Sequence, residues 1–263
     1  MNRFRVGFIF FICVVNAVSY ADFDHTHAAW EQILKKYVTE EGPKSTVDYK
    51  TLQANSTPLK DYIKVIENTT QAQYNTFNEK EKLAFLINGY NALTVKLVVD
   101  NYPVKSIKDI GSFFQSAWKK KFFTLFGQEY YLDGIEHEML RKQFSEPRIH
   151  FSIVCASKGC PQLRGEAYVT TRLEEQLTDQ AKRFLQDGTR NYYDAQKNTL
   201  YLSKIFKWFK EDFVKKSGSV QNFVASRMAK NVQEEEKIKS ADFDTLEYDW
   251  TLNETPPRKV SGT

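Results

Sequence analysis

Apolar residues recur at helical spacing through the first hundred positions. Beyond about position 120 they shift to short runs and two-residue alternation. Trp30, Ile33, Leu34, Tyr37 and Val38 fall at i, i+3, i+4, i+7 and i+8, which predicts an amphipathic helix ended by Gly42-Pro43. Leu59, Tyr62, Ile63 and Ile66 predict a second helix from Pro58 to Glu67. Asn78-Glu-Lys-Glu81 has the form of a capping box and opens a long helix to Asn101, with Tyr102-Pro103 as its stop. The middle of that helix, LAFLINGYNALTVKLVV, is apolar nearly all round, as a central buried helix would be.

FFTLF and EYYL on either side of Gly127-Gln128 predict a β-hairpin, and RNYYD with TLYLS a second one across Ala195–Asn198. RIHFSIV reads as a buried strand, and TLEYDWTL as a strand with Leu246, Tyr248, Trp250 and Leu252 on its covered face. Further helices are expected at Asp133-Gly-Ile-Glu136, at Thr171-Arg-Leu-Glu174, around Trp208, Phe209 and Phe213, and around Phe223 and Met228. The pattern predicts one α+β domain: N-terminal helices and a long buried central helix packed on a mainly antiparallel sheet. Residues 22–74 form its helical front, 75–253 its core, and 254–263 a disordered tail.

The first 21 residues stand apart. Arg3 and Arg5 precede an apolar run from Val6 to Val15 that is too short to span a bilayer, and Ser19 and Ala21 fit a cleavage site. This predicts a signal peptide and an exported chain, periplasmic or secreted, without a stable membrane anchor after cleavage. The formal charge of +4 drops to about +2 without the two arginines, too little for a nucleic-acid footprint. Cys155 and Cys160 are then the remaining cysteines, in a compartment that permits a disulfide. WKKKFF (118–123) mixes basic and aromatic residues, a pattern that suits a solvated strand start better than a binding patch.

No Gly-rich phosphate loop, G-x-S-x-G or H-E-x-x-H occurs. What remains is polar residues in apolar surroundings. Asn88 and Asn91 share a face of the long helix, where buried amides bridge to backbone or serve a catalytic group. Glu136 completes a helix cap, and His137 beside it is a candidate base. On a regular strand His150 and Cys155 face opposite ways, so they meet only if Cys155 already belongs to the following loop.

The segments FLINGYNALTV, YPVKSIKDI, LDGIEHEMLR, RIHFSIVCASKGCPQLRGEAY and YDWTLN, from about residue 83 to 253, resemble a family of unknown activity, domain of unknown function 547. The resemblance implies significance for Asn88, Asn91, Glu136, His137, Arg148, His150, Cys155, Ser157, Cys160 and Pro161. A looser likeness in residue types to papain- and transglutaminase-like enzymes differs in chain order, since those open the central helix with the nucleophile.

Three functions fit these residues. In the first, Cys155 attacks an acyl carbon, with His137 or His150 as base and Glu136 or Asn88 holding the imidazole; Asn91, Arg148, Ser157 and Cys160 would contribute to binding. This is thiol-dependent acyl transfer or amide hydrolysis on a small molecule, peptide or envelope component. In the second, a Cys155–Cys160 disulfide, closed with help from a positive φ at Gly159, staples a non-enzymatic envelope binding module. In the third, the histidines and cysteines hold zinc, although C-x4-C lies at the edge of common zinc spacings. No other cofactor is expected.

Overall fold

The structure, a computed structural model, describes residues 22–256. The expected signal peptide and the last residues of the expected tail lie outside them. Ordered pairing continues past residue 253, since Thr255 N–H donates to the Val47 carbonyl at 3.0 Å.

The chain opens with α1 (Ala28–Tyr37), whose buried face is the expected Trp30, Ile33, Leu34 and Tyr37. Gly42-Pro43 does more than end a helix. It is the turn of an antiparallel hairpin, β1 (Val38–Glu41) with β2 (Lys44–Val47), and Gly42 supplies the left-handed φ of 60°. Two short helices escaped the periodicity, α2 (Tyr49–Ala54) and α4 (Gln71–Thr76), on either side of α3 (Thr57–Asn68). They are about one and a half turns long, too short for a stripe to declare itself.

The central helix is α5 (Glu79–Asn101). Its capping box forms as expected, with Asn78 Oδ1 accepting from Glu81 N–H and Glu81 accepting from Asn78 N–H. It is also long and apolar enough to cross a membrane, but 89 % of that apolar window is buried inside the protein, so it is a core helix here.

The first expected hairpin is β3 (Phe123–Leu125) with β4 (Gln128–Tyr130), turned at Phe126-Gly127, both with positive φ. Residues Gly134–Leu140 then form a π-helical segment that runs into α6 (Arg141–Gln143). Asp133 makes no side-chain cap there, and Glu136 turns inward instead of completing one.

RIHFSIV is not a strand. It holds the one-turn helix α7 (Ile149–Ser152), started by Glu146-Pro147, whose carbonyls accept from Ile149 and His150 N–H. An apolar run this short carries no period of its own, and proline at its head favoured the turn.

After α8 (Leu173–Leu185), whose expected Thr171 cap is absent, comes the second expected hairpin, β5 (Tyr192–Asp194) with β6 (Thr199–Leu202). Helices α9 (Ile205–Trp208), α10 (Lys210–Ser217), α11 (Val220–Met228) and α12 (Val232–Lys239) lead to β7 (Asp242–Thr245), which pairs parallel with β6.

The fold is α+β, but instead of one main sheet the described residues hold three small ones, of two, two and three strands. Two apolar clusters fill the interior. One surrounds α5; the other gathers Phe151, Phe184, Phe206, Phe213 and Phe223 beneath α8–α11.

TLEYDWTL is not a strand either. Leu246, Tyr248, Trp250 and Leu252 do alternate inward, but the segment is an irregular strap over residues 156–159. Lys158 N–H donates to the Thr251 carbonyl at 2.8 Å, Gly159 N–H to that of Asp249 at 2.8 Å, and Asn253 N–H to that of Ala156 at 3.2 Å.

Candidate functional site

The two clusters meet at a cavity of about 190 Å³. The α5 side contributes Tyr90, Glu136, Cys155 and Cys160; the other side contributes Ile205, Phe209 and Tyr248, with His137 and His150 between them. The volume is comparable to that of a cavity that takes a benzene-sized group.

Cys155 is placed by backbone. Asn91, in the middle of α5, spends its amide on the chain just ahead of it: Nδ2 donates to the Ser152 carbonyl at 2.9 Å, and Oδ1 accepts from Val154 N–H at 2.9 Å. Next after Cys155, buried Ala156 has a φ of 56°, the left-handed region that a residue with a Cβ occupies only when its surroundings impose it. Gly159 does not take the positive φ expected of it. Its role is close approach, because a Cβ there would sit 3.0 Å from the backbone N and O of Asp249 in the strap.

The cysteines are free thiols, and the expected disulfide is not formed. Cys155 N–H donates to Cys160 Sγ at 2.9 Å. Cys155 Sγ lies 3.1 Å from Ser157 Oγ and 3.1 Å from Tyr248 Oη. Burial opposes ionisation of Cys155, but hydrogen bonds from Cys160, Ser157 and Tyr248 outweigh it and bring the thiol down to about 7. Burial and the neighbouring Cys155 charge push Cys160 well above the ordinary range. The two thiols are therefore differentiated: Cys155 ionises first.

Neither imidazole hydrogen-bonds Cys155, but both reach the cavity in definite tautomers. His150 is 3 % exposed, stacked on Phe209 at 3.9 Å, with Nε2 2.7 Å from Asp212 Oδ2. Burial depresses Asp212's tendency to ionise, yet hydrogen bonds from His150 and bidentate Arg141 hold its carboxyl well below the usual carboxylate range. Burial also lowers the His150 pKa, more than Asp212 raises it, so the ring is neutral at pH 7. A neutral ring facing a carboxylate must carry its proton on Nε2. Nδ1 is left as a lone pair with no partner.

In His137 the lone pair, and not the proton, is engaged. Its Nδ1 lies 3.1 Å from Arg141 Nη1, which can only donate, so the proton sits on Nε2. Burial, with help from Arg141, lowers its pKa as well. Glu136, buried, accepts from Tyr90 Oη at 3.1 Å, and burial raises its carboxyl to about 7.

Other expected site residues are elsewhere. Asn88 does not hold an imidazole: its Nδ2 donates to the Tyr168 carbonyl at 2.7 Å and its Oδ1 accepts from Tyr168 N–H at 3.0 Å. Glu136 does not hold one either; Asp212 and Arg141 do. Arg148 is bound by Glu146, Glu174 and Thr178, away from the cavity. Among the described residues no three His, Cys, Asp or Glu side chains converge as a metal set, so the zinc reading lacks its donors.

Asp212, Tyr248 and Arg141 were missed. Asp212 follows Glu211 in the first turn of a helix, where an acidic residue has an ordinary explanation. Tyr248 was assigned only a covered strand face. For Arg141 the i, i+4 spacing from His137 was the available signal.

The fold and site define an α+β domain built around a half-buried, hydrogen-bonded thiol. Residues 74–185 match the family model described as a protein of unknown function, DUF547. That segment contains α5, both cysteines, both cavity histidines and Glu136. It is shorter than the stretch the resemblance implied, because the strap with Tyr248 lies beyond it. No curated protein and no solved structure matches the chain, so the likeness to papain- and transglutaminase-like folds has no support.

Proposed function

We propose that the cavity is the active site of a cysteine-dependent acyl transferase or amide hydrolase. The observation that carries this reading is a thiol surrounded by hydrogen-bond donors on the wall of a cavity that also holds the Asp212-bound imidazole of His150.

Cys155 Sγ adds to an acyl carbon as its proton passes to His150 Nδ1, the lone pair left free by Asp212. His137 Nε2–H is a donor for the developing oxyanion, since its own lone pair is taken up by Arg141. Collapse breaks the bond to the leaving amine or alkoxide, which takes a proton from the imidazolium or from Glu136, half protonated near pH 7. Water, deprotonated by His150 Nδ1, then releases the acid; a second amine in its place gives transfer. With the expected leader, this chemistry belongs to the cell envelope, acting on a small molecule, a peptide or another envelope component.

The test is acylation by p-nitrophenyl acetate, read as nitrophenolate release and as an acetyl group located on Cys155 by mass spectrometry. Cys155→Ser should melt normally and abolish the adduct. His150→Gln and Asp212→Asn should slow acylation by about 10²–10⁴-fold. An adduct on Cys160 or a lysine, or a rate indifferent to His150, would overturn the reading.

A further inference from the structure

The largest unexplained apolar exposure lies beside the cavity. Phe113 is 96 % exposed and Phe114 94 %, their rings 5.2 Å apart, whereas the other phenylalanines among the described residues are largely covered. This is no loose tip. Ser112 N–H donates to the Gln115 carbonyl at 2.8 Å, and Gln115 N–H returns to Ser112 Oγ at 3.1 Å. Gln115 Nε2 donates to the Lys119 carbonyl at 3.1 Å. A Cβ at Gly111 would meet the Gln115 carbonyl oxygen at 2.9 Å and Ala117 N at 3.0 Å, so glycine lets the turn close. The backbone is tied down and both rings are turned outward.

Lys108 lines the same surface hollow as the pair, and four more lysines lie within eight positions of it in the chain. Lys105, Lys108, Lys119 and Lys121 are exposed and Lys120 half-buried, and none forms an ion pair among the described residues. Lys108 lies over the Trp250 ring at 4.6 Å. Asp109 is fixed by the Lys105 and Ser106 N–H groups and leaves the five lysines in excess, and Asp133 lines the cavity. Trp118, at the base of the turn, also lines the cavity and packs edge-on against Trp250 at 5.8 Å; Trp208 joins them at the rim. Three of the four tryptophans in the chain therefore stand at this mouth.

We infer that the turn at residues 111–117 docks the protein on an anionic lipid surface, with Phe113 and Phe114 inserted among the acyl chains and the lysines on the headgroups. Apolar rings at a tip, tryptophans behind them and unpaired lysines close to them in the chain match the layers of a bilayer interface. A protein groove would not require this excess of cation. Docked this way, the cavity mouth faces the membrane, where amphiphilic acyl substrates lie. Docking itself stands independently of the thiol chemistry.

The test is sedimentation of the full chain with vesicles of phosphatidylcholine alone or mixed with phosphatidylglycerol. Binding should require phosphatidylglycerol and weaken with added salt. Phe113→Ser/Phe114→Ser and, separately, Lys119→Gln/Lys120→Gln/Lys121→Gln should each lower it by at least about tenfold without changing the melting temperature. Cys155→Ser should bind as the wild type does, which separates this result from any failure of the thiol chemistry. No binding to the anionic vesicles, or equal binding by the Phe113/Phe114 variant, would overturn the inference and leave the pair to a protein partner.

Discussion

At the scale of single residues, the thiol depends on its donors. Tyr248 Oη and Ser157 Oγ stabilise the Cys155 thiolate, and burial keeps Tyr248 protonated and able to donate. Tyr248→Phe removes one donor and leaves the burial, so the Cys155 pKa should rise; the shift is read from the pH dependence of iodoacetamide alkylation. Glu136 gives a second pH effect. Its folded pKa of about 7 lies above the unfolded carboxyl value, so its contribution to stability is complete below about pH 4.3 and is lost as pH rises through 7. Urea midpoints should fall from pH 5 to pH 8, and Glu136→Gln should flatten that fall. The residue types of this site could be read from the sequence, because Cys, His and Glu lacked ordinary explanations. Their partners could not: Asp212 and Tyr248 come from 57 and 93 positions beyond Cys155, and each had a sufficient local reading.

At the scale of elements, the two asparagines of α5 act as splints. Each amide replaces a backbone partner in irregular chain, Asn88 at Tyr168 and Asn91 at Ser152 and Val154. Asn91→Ala leaves a buried carbonyl and a buried N–H unpaired, at a cost of about 2–4 kcal/mol. It should also slow Cys155 alkylation in the folded protein, because residues 152–154 set where the thiol sits. Asn88→Ala should destabilise to a similar degree and leave that rate unchanged. Gly159→Ala forces the strap away and should cost about 1–3 kcal/mol in denaturant titration.

Long elements followed their patterns: α1, α3 and α5 appear nearly as their stripes and caps required. RIHFSIV and TLEYDWTL did not, for different reasons. The first is too short to show a period. The second has the right alternation, but its backbone bonds run to a loop, which no side-chain pattern records.

At the scale of the molecule, the cavity exists because two apolar clusters meet without merging. The seam is crossed by polar pairs, His150–Asp212 and Arg141–Asp212, while the strap closes one side. A site between clusters brings together residues from distant elements, and the short runs joining them are where sequence patterns are weakest. Ending the chain at Thr245 removes Tyr248 and the strap bonds to residues 156–159. That variant should raise the Cys155 pKa and lower the melting temperature together, whereas Tyr248→Phe should move mainly the pKa.

The central claim is that Cys155 is an activated thiol distinct from Cys160. It is tested most directly by alkylating the native protein with iodoacetamide across pH 5 to 10 and following each cysteine separately by mass spectrometry. The account predicts that Cys155 reacts first, with a midpoint near 7 against about 8.5 for an ordinary thiol, while Cys160 stays unmodified until far higher pH. A Cys155 midpoint at or above the ordinary value, or Cys160 reacting first, would contradict it.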